Sequence, residues 1–375
     1  MDRTVCIIGT RGYPSYYGGF ETLVRHLAPY LVDEGWRVVV YGRPHDVDRL
    51  DPYRDRRVES VMTAGVDRKS LSTITYGFSS SLHSALSVRP DVALVMNVAN
   101  GFWLPVLRAR GIPTLVNVDG VEWEREKWGT VARRVFRAGA TATARYATEL
   151  IYDSEALAER WSVMSGRVGT YIPYGGVFRT RGTVPLGLTS GGYVLMVARF
   201  VPENTIEPFL DAAAVLSRDW PVVVVGSSGY GGPLEARVAQ LARDHANITW
   251  VGHVHDDNVL FGLWEHAGAY FHGHSVGGTN PALVQAMACG SPVVARDTPY
   301  NREVLGDTAI FVNPDPSSIA EGLDVLMRDE RLRQCLGSSA RTRAETSFTW
   351  PGVCAAYSTA LSNGVLGTTR AQNRV

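Results

Sequence analysis

Short apolar runs alternate with longer amphipathic stretches along the chain. In the first half the runs are rich in β-branched residues, and the stretches between them have the length of helices. Because the runs are apolar throughout, they are typical of parallel strands that are covered by helices on both faces. We therefore predict strands at Val5–Ile8, Arg37–Tyr41, Val92–Met96, Thr114–Val118 and Leu150–Tyr152.

The same alternation starts again after about Gly182. The repeated strand–helix order predicts an α/β fold built of βαβ units. The predicted strands of this second series are Tyr193–Val197, Val222–Val225, Ile248–Val251, Ala269–His272, Pro292–Ala295 and Ala309–Val312.

Two such series indicate two doubly wound domains, residues 1–180 and 181–349. Residues 175–192 are rich in Gly, Thr and Pro and form the predicted linker. After the last strand, residues 350–362 have a helical pattern, whereas residues 363–375 have the composition of a disordered tail.

Charge and apolar content narrow the class of protein. The chain has 37 basic and 37 acidic residues, and this balance argues against a nucleic-acid partner. No apolar run reaches the roughly 18 residues that a membrane span needs, and the apolar start is too short for a signal peptide. We therefore expect a cytoplasmic protein.

Neither the cysteines nor the histidines predict a metal site. No two cysteines form a CxxC pair, which excludes a zinc ribbon. Two His-x-His pairs place both rings on one face of a strand, but the pairs follow different strands and lack a third ligand at a diagnostic spacing. These pairs are His253/His255 and His272/His274.

Ligands of open parallel sheets bind beyond the carboxyl ends of the strands, so the loops that follow strands are the candidate sites. In the first loop, Gly18 and Gly19 precede a helix predicted from about Phe20 to Leu31. Their amides and the helix N-terminus predict a diphosphate contact. The alternative is a tight turn, and the loop matches neither the dinucleotide fingerprint nor the Walker A pattern.

Two loops of the second series also carry candidate chemistry. Arg199 follows a strand end, where its guanidinium can bind phosphate oxygens, although a surface ion pair is the alternative. Further on, Gly278 and Thr279 form a turn before Pro281, which suits a first helical position. Their N–H groups predict an anion or sugar contact, and Gln285 lies about one turn into that helix.

These motifs resemble the retaining glycosyltransferases of family 4, which have the GT-B fold. The resemblance covers nearly the whole chain. The segments Asn117–Trp123 and Lys127–Trp128 and the sequence Gly-Gly-Thr-Asn-Pro are most similar to bacterial rhamnosyltransferases of polysaccharide biosynthesis, which use dTDP-L-rhamnose where the donor is known. The segments that match the family in order are Tyr17–Glu21, Tyr171–Gly175, Ala198–Asn204 and Gly277–Met287.

The resemblance implies two Rossmann-like domains that face each other across a cleft. The second domain would bind the nucleoside-diphosphate sugar and the first the acceptor, and the helix at 350–362 would cross back to the first domain. The implied reaction transfers a hexosyl group, with L-rhamnose as the preferred choice, to a hydroxyl of a saccharide or lipid-linked saccharide. It implies no cofactor and no metal.

The resemblance also implies roles for residues of the donor site. Arg199 would bind the diphosphate and take part in catalysis, but Asn204 stands where the family has a second cation, a lysine. The two positions of the family's Glu–seven residues–Glu motif are Gly277 and Gln285. Because the second Glu typically holds ribose hydroxyls, a glutamine there favours a deoxyribose and hence a dTDP donor. The other donor-binding candidates are Gly18, Gly19, His253, Val254, His274, Gly278, Thr279 and Asn280.

On the acceptor side, Asp119 matches a histidine that many family members place near the reacting carbon. Its carboxylate would orient the acceptor hydroxyl or act as its base. An Asx turn before Gly120 is the alternative, and Glu122 is the second candidate carboxylate. The remaining acceptor-side candidates are Asn97, Asn100 and Trp123.

The segment Trp123–Tyr146 is rich in arginines and aromatic residues. Such a helix predicts contact with an anionic membrane, at its inner face, and a solvated helix surface is the alternative.

Three other functions stay open. A non-hydrolysing nucleotide-sugar epimerase would share the architecture. An NADP-dependent oxidoreductase would use Arg43 after the second strand, although Pro14 spoils its fingerprint. A non-catalytic nucleotide-sugar binder would explain the missing lysine and glutamates.

Overall fold

A computed structural model describes residues 3–16, 18–47, 50–67, 69–118, 120–124, 129–229 and 231–372. The chain forms two compact units. Among the described residues, unit 1 contains those up to Glu124, those from 129 to Pro173 and those from Trp350 onward, and unit 2 is Tyr174–Thr349. No helix among the described residues is long and apolar enough to cross a bilayer.

Unit 1 is a parallel sheet of seven strands with helices between them. The strand order is β3-β2-β1-β4-β5-β6-β7, and each neighbouring pair is parallel. Its elements are β1 Thr4–Ile8, α1 Gly19–Asp33, β2 Arg37–Gly42, β3 Glu59–Met62, α2 Lys69–His83, β4 Val92–Met96, α3 Leu104–Arg108, β5 Thr114–Val118, α4 Thr130–Tyr146, β6 Glu149–Tyr152, α5 Glu155–Ser165 and β7 Thr170–Tyr171.

The central strands of unit 1 confirm the predicted parallel sheet. Every residue of β4 and β5 is buried, as expected of strands covered on both faces. The sequence pattern missed β3 and β7. Both lie at sheet edges, β3 is only partly buried and the two residues of β7 are exposed, so neither forms the apolar run on which the prediction depends.

The last helix of the chain, α13, is Trp350–Gln372 and belongs to unit 1. It contacts α1, β4 and β5. The Trp350 ring stacks on His26 of α1 with ring centroids 4.1 Å apart, and the buried Tyr357 hydroxyl accepts a hydrogen bond from Asn117 Nδ2 of β5. The structure therefore differs from the expected end near residue 362. The helix runs on to Gln372, and Gly364 lies against Leu115 and Val92 of the sheet.

Unit 2 is a six-stranded parallel sheet of order β10-β9-β8-β11-β12-β13. Its elements are β8 Val194–Val197, α6 Ile206–Leu216, β9 Val222–Val225, α7 Pro233–Asp244, β10 Ile248–Gly252, α8 Asp257–His266, β11 Ala269–His272, α9 Pro281–Ala288, β12 Val293–Arg296, α10 Pro299–Leu305, β13 Ala309–Val312, α11 Pro316–Arg328 and α12 Glu330–Ser347.

Both faces of the unit 2 sheet are covered, which explains why its strands read as continuous apolar runs. In β9, Val222 and Val224 join one core cluster, with residues of α6 and α11, while Val223 and Val225 join another, with residues of α8, α9 and α12. Successive side chains of a strand point to opposite faces, so an all-valine strand is what two covered faces require.

The predicted linker lies wholly within unit 2, and the units divide between Pro173 and Tyr174 rather than near residue 180. Arg179 Nε donates to Glu265 Oε1 at 2.8 Å, and the Gly182 N–H donates to Glu265 Oε2 at 2.8 Å. The Glu265 side chain is only 3% exposed. This ion pair fixes a segment whose composition alone predicts flexibility.

Candidate donor site at the carboxyl edge of unit 2

Three loops of unit 2 lie side by side because β8, β11 and β12 are neighbours in the sheet. Each loop follows the carboxyl end of its strand, where ligands bind in open parallel sheets. Asn301 Nδ2 joins two of them, since it donates to His274 O at 3.0 Å and to Arg296 O at 2.8 Å. Gly273 allows a close approach, because a Cβ there would lie 2.4 Å from Asn204 O.

Asn204 fastens the loop after β8 to the loop after β11. Its Nδ2 donates to Arg199 O at 2.8 Å, and its Oδ1 lies 2.7 Å from His274 Nδ1. Since a carbonyl oxygen only accepts, this orientation of the amide places the proton of that hydrogen bond on His274 Nδ1. The side chain predicted to bind the donor is thus buried and engaged within the protein.

The Arg199 side chain is exposed, whereas its neighbour Phe200 is buried. No acidic side chain of the described residues forms an ion pair with its guanidinium. The surface ion pair, the alternative to phosphate binding, is therefore not formed in the part of the chain that the structure describes.

The loop after β11 is built around two buried glycines. Gly277 has a φ of +96°, a backbone conformation that favours glycine. Within the described ranges, the N–H groups of Gly277 and Gly278 have no hydrogen-bond acceptor. The Asn280 side chain caps α9 by accepting from Ala282 N at 2.9 Å. Amides without acceptors next to a helix N-terminus are suited to bind an anion.

Gln285 of α9 uses both ends of its amide on a single residue. Its Oε1 accepts from Val177 N at 2.9 Å, and its Nε2 donates to Val177 O at 2.9 Å. The side chain is 8% exposed. In this arrangement Gln285 holds the segment that enters unit 2 and does not offer its amide to a ribose.

Two further polar groups at this edge have no counterpart among the predicted site residues. Glu203, in the turn Pro202–Asn204 after β8, is 6% exposed, and neither carboxylate oxygen has a hydrogen-bond partner among the described residues. His272 is fully enclosed, and burial lowers its pKa to about 3, so the ring stays neutral. Glu203 follows the matched arginine by four residues, a spacing that could have signalled it.

His253 and Val254 follow β10, which β9 separates from β8 in the sheet. At about 4.8 Å per strand, their loop lies roughly 10 Å from the loop of Arg199, a separation suited to the base of a nucleotide. Burial and the neighbouring His255 lower the pKa of His253. Among the described residues, no group of three or more His, Cys, Asp or Glu side chains is placed to hold a metal ion.

In unit 1, Gly18 caps α1 and the helix starts at Gly19. Glu21 Oε1 accepts a hydrogen bond from Arg11 N at 3.0 Å, and Oε2 lies 3.4 Å from the position that a Gly18 Cβ would take. A buried carboxylate therefore already lies in the first turn. Its charge opposes a diphosphate on these two amides, which favours the tight-turn interpretation.

The acceptor-side candidates of unit 1 differ in exposure. Asn100 is 1% exposed and donates to Met96 O at 2.7 Å, so it holds the loop after β4 rather than a ligand. Asn97 accepts from Ala99 N at 2.9 Å, and Glu122 is buried. Asp119, the predicted base, lies outside the described residues.

Trp123 lines a groove of about 560 Å³ between α4 and α5. Ala140, Ala144, Trp161 and Met164 supply apolar walls, and Arg137 and Arg145 line the same groove. Two more arginines of α4, Arg133 and Arg134, line an adjoining depression that also contains Trp123. The groove and the adjoining depression together combine an apolar interior with four cations.

Comparisons with known proteins match both halves of the chain. Residues 18–175 match the model described as glycosyl transferase 4-like domain, and residues 188–343 match the model described as glycosyl transferases group 1. Together with the two parallel sheets, these matches define the fold as GT-B. The chain is thus composed of two glycosyltransferase domains.

Individual relatives agree with this assignment. An uncharacterised glycosyltransferase of Methanocaldococcus jannaschii is 29% identical over 154 residues, which are 40% of this chain and 38% of that protein. The chain spans about two fifths of the length of the curated relatives it matches.

Two solved structures have the same fold across 96% of this chain. Sucrose-phosphate synthase from Thermosynechococcus elongatus has a TM-score of 0.82 and 20% identity, with 98% of its own chain covered. HepE from Anabaena, solved in complex with UDP-glucose, has a TM-score of 0.76 and 15% identity, with 99% covered. At these identities the likeness establishes the fold alone.

Proposed function

We propose that this protein transfers a hexosyl group from a nucleoside-diphosphate sugar to a hydroxyl of a saccharide or lipid-linked saccharide. The observation that carries the proposal is the carboxyl edge of unit 2. There, an exposed Arg199 without an acidic partner among the described residues and the two buried amides of Gly277 and Gly278 belong to neighbouring loops. Donors of this kind suit a diphosphate.

In the proposed reaction, the bond between the anomeric carbon and the diphosphate oxygen breaks, and its electron pair goes to the diphosphate. The positive guanidinium and the amides stabilise the negative charge that develops there. The acceptor hydroxyl attacks on the same face and gives its proton to the leaving phosphate, so the anomeric configuration is retained. Asp119 is the proposed group that orients the acceptor hydroxyl.

We further propose dTDP-L-rhamnose as the donor. Gln285 supports a deoxyribose because both ends of its amide bind Val177, so it does not select for a ribose 2′-hydroxyl. The choice of rhamnose rests on the resemblance of the motifs Asn117–Trp123 and Gly-Gly-Thr-Asn-Pro.

The groove between α4 and α5 supports a lipid-linked acceptor at an anionic membrane. The four arginines that line the groove and the adjoining depression have no acidic partner among the described residues, whereas Glu124, which lines both, pairs with Arg160. Val131 and Val163, on α4 and α5, are 75% and 83% exposed. A surface with cationic and apolar groups side by side is suited to a membrane, because the cations can contact the phosphate head groups and the apolar groups the hydrocarbon below them.

A non-catalytic nucleotide-sugar binder is the second candidate. The engagement of Asn204 and Gln285 in internal hydrogen bonds favours it, since it leaves the donor site with fewer polar side chains to contact the ligand. Nucleotide-sugar binding without release of nucleoside diphosphate, across a panel of saccharide acceptors, would support this candidate.

Replacement of Arg199 by alanine tests the proposed reaction. We expect turnover to fall by roughly 10²–10³-fold, the scale of losing one transition-state donor. The assay measures nucleoside diphosphate released from the best-binding nucleotide sugar in the presence of saccharide acceptors. Arg218→Ala is the control, because Arg218 is also exposed but follows α6 at the amino edge of the sheet. Near-normal turnover in Arg199→Ala would remove Arg199 from the mechanism.

A further inference from the structure

Glu203, at the carboxyl edge of unit 2, has a buried carboxylate whose hydrogen-bonding capacity is not satisfied by the described residues. The residue is 94% buried, and neither of its side-chain oxygens has a hydrogen-bond partner among the described residues. Burying a carboxylate without donors is unfavourable, and buried polar groups in native proteins are nearly always hydrogen-bonded. A bound ligand that donates hydrogen bonds would satisfy this carboxylate.

Hydrogen bonds made by Glu203 and by the two residues after it hold this part of the backbone in place. Its carbonyl oxygen accepts from Ser275 N and from Ser275 Oγ, both at 2.9 Å. The next residue, Asn204, is bonded to Arg199 O and His274, and Thr205 Oγ1 donates to Gly273 O at 2.6 Å. The turn that carries the carboxylate is part of the loop after β8 and is therefore fastened to the loop after β11 of the proposed donor site.

The chemistry of a carboxylate limits the kinds of ligand that Glu203 can bind. An ionised carboxylate only accepts hydrogen bonds and repels a diphosphate, so its partner must carry donors. Glu203 is the only acidic residue in the loops 198–205 and 273–280. Gln285, the other side chain placed to bind hydroxyls, is bonded to Val177. Two neighbouring hydroxyls of a sugar ring match the two oxygens of one carboxylate.

We propose that Glu203 accepts hydrogen bonds from two neighbouring hydroxyl groups of the nucleotide-sugar donor. The inference rests on the proposed function, because the ligand is the donor named there. It assigns to this chain a hydroxyl-binding carboxylate on the loop after β8.

The test compares Glu203→Gln with the unchanged protein by calorimetric titration and thermal denaturation. Glutamine keeps the shape but loses the charge. We expect the melting temperature of the free protein to stay the same or rise, because the buried charge is gone. We expect the affinity for dTDP-L-rhamnose to fall about 10- to 100-fold, the scale of a charge-assisted hydrogen bond.

Two further variants sharpen the comparison. Glu203→Asp keeps the charge but withdraws it by one methylene, so affinity should fall while the net charge is unchanged. Glu207→Gln is the matched control, since Glu207 lies on the adjoining α6 but is 69% exposed, and it should change neither measurement.

The choice of ligands identifies which hydroxyls bind. If the sugar supplies them, Glu203→Gln lowers the affinity for dTDP-L-rhamnose but leaves the affinity for dTDP unchanged. If the ribose supplies them, Glu203→Gln lowers the affinity for UDP more than the affinity for dTDP. Unchanged affinity for every ligand, or a lower melting temperature with unchanged affinity, would overturn the inference while leaving the proposed function intact. If dTDP-, UDP- and GDP-sugars all fail to bind the unchanged protein, the proposed function fails first.

Discussion

Gln285 and Asn204 show how two amide side chains shape the candidate site without offering themselves to a ligand. Each joins segments that are far apart in sequence, Gln285 to Val177 and Asn204 to His274. The sequence located both residues at the correct edge of the sheet, because position after a strand was enough. It did not predict their partners, since a partner about 70 or 108 residues away depends on the assembled sheet.

Gln285→Glu tests the role of the amide. A carboxylate keeps the acceptor for Val177 N but places a negative oxygen against Val177 O, so we expect unit 2 to lose about 1–3 kcal/mol of stability in urea unfolding. A carboxylate released from Val177 would also favour ribose, raising the affinity for UDP relative to dTDP.

Gln285→Met is the matched variant, because it removes the same hydrogen bonds without adding charge. It should lower stability and leave the ratio of UDP to dTDP affinity unchanged. If Gln285→Glu has the same stability and the same ratio of UDP to dTDP affinity as the unchanged protein, this account of Gln285 is contradicted.

At the scale of elements, burial on both faces determined what could be predicted. The central strands of both sheets are apolar runs, and sequence alone placed them to within about a residue. The edge strands β3 and β7 were missed because neither is a continuous apolar run, and the last turns of α13 were missed because residues 363–372 are rich in turn and polar residues. Packing against the sheet of unit 1, rather than the helical pattern alone, accounts for the length of α13.

Tyr357→Phe tests how strongly α13 is bound to unit 1. Asn117 is 1% exposed, so loss of the Tyr357 hydroxyl leaves its buried amide N–H without an acceptor. We expect a loss of about 1–3 kcal/mol, seen as a lower melting temperature. Tyr53→Phe is the control, since Tyr53 is 87% exposed. Equal melting temperatures for the two variants would show that the hydrogen bond contributes little.

At the scale of the whole molecule, each unit carries one side of the proposed chemistry. Unit 2 carries the candidate donor edge, and unit 1 carries the groove with its arginines. The restart of the strand–helix alternation predicted two domains, and the family resemblance implied which of them would bind the donor. The boundary shifted to Pro173 because Arg179 and Gln285 bind the supposed linker to unit 2, a tertiary effect that composition does not reveal.

Co-sedimentation with vesicles tests the groove of unit 1. We expect binding to phosphatidylglycerol vesicles at low salt and little binding to phosphatidylcholine, with screening as salt rises. Arg133→Glu with Arg134→Glu should weaken the binding by at least about tenfold, at about 1 kcal/mol per charge. The control pair in unit 2 is Arg218→Glu with Arg331→Glu. Equal binding by both pairs, or no binding at low salt, would end the proposal of membrane contact.

The central claim is that unit 2 binds a nucleoside-diphosphate sugar through Arg199 and the glycine amides. Thermal denaturation with dTDP-, UDP- and GDP-sugars tests it most directly, because a ligand at 100 times its dissociation constant stabilises the folded state by about 2.7 kcal/mol. We predict stabilisation by at least one of these donors, strongest for dTDP-L-rhamnose, and a marked reduction in Arg199→Ala. A melting temperature that none of the donors changes would contradict the claim.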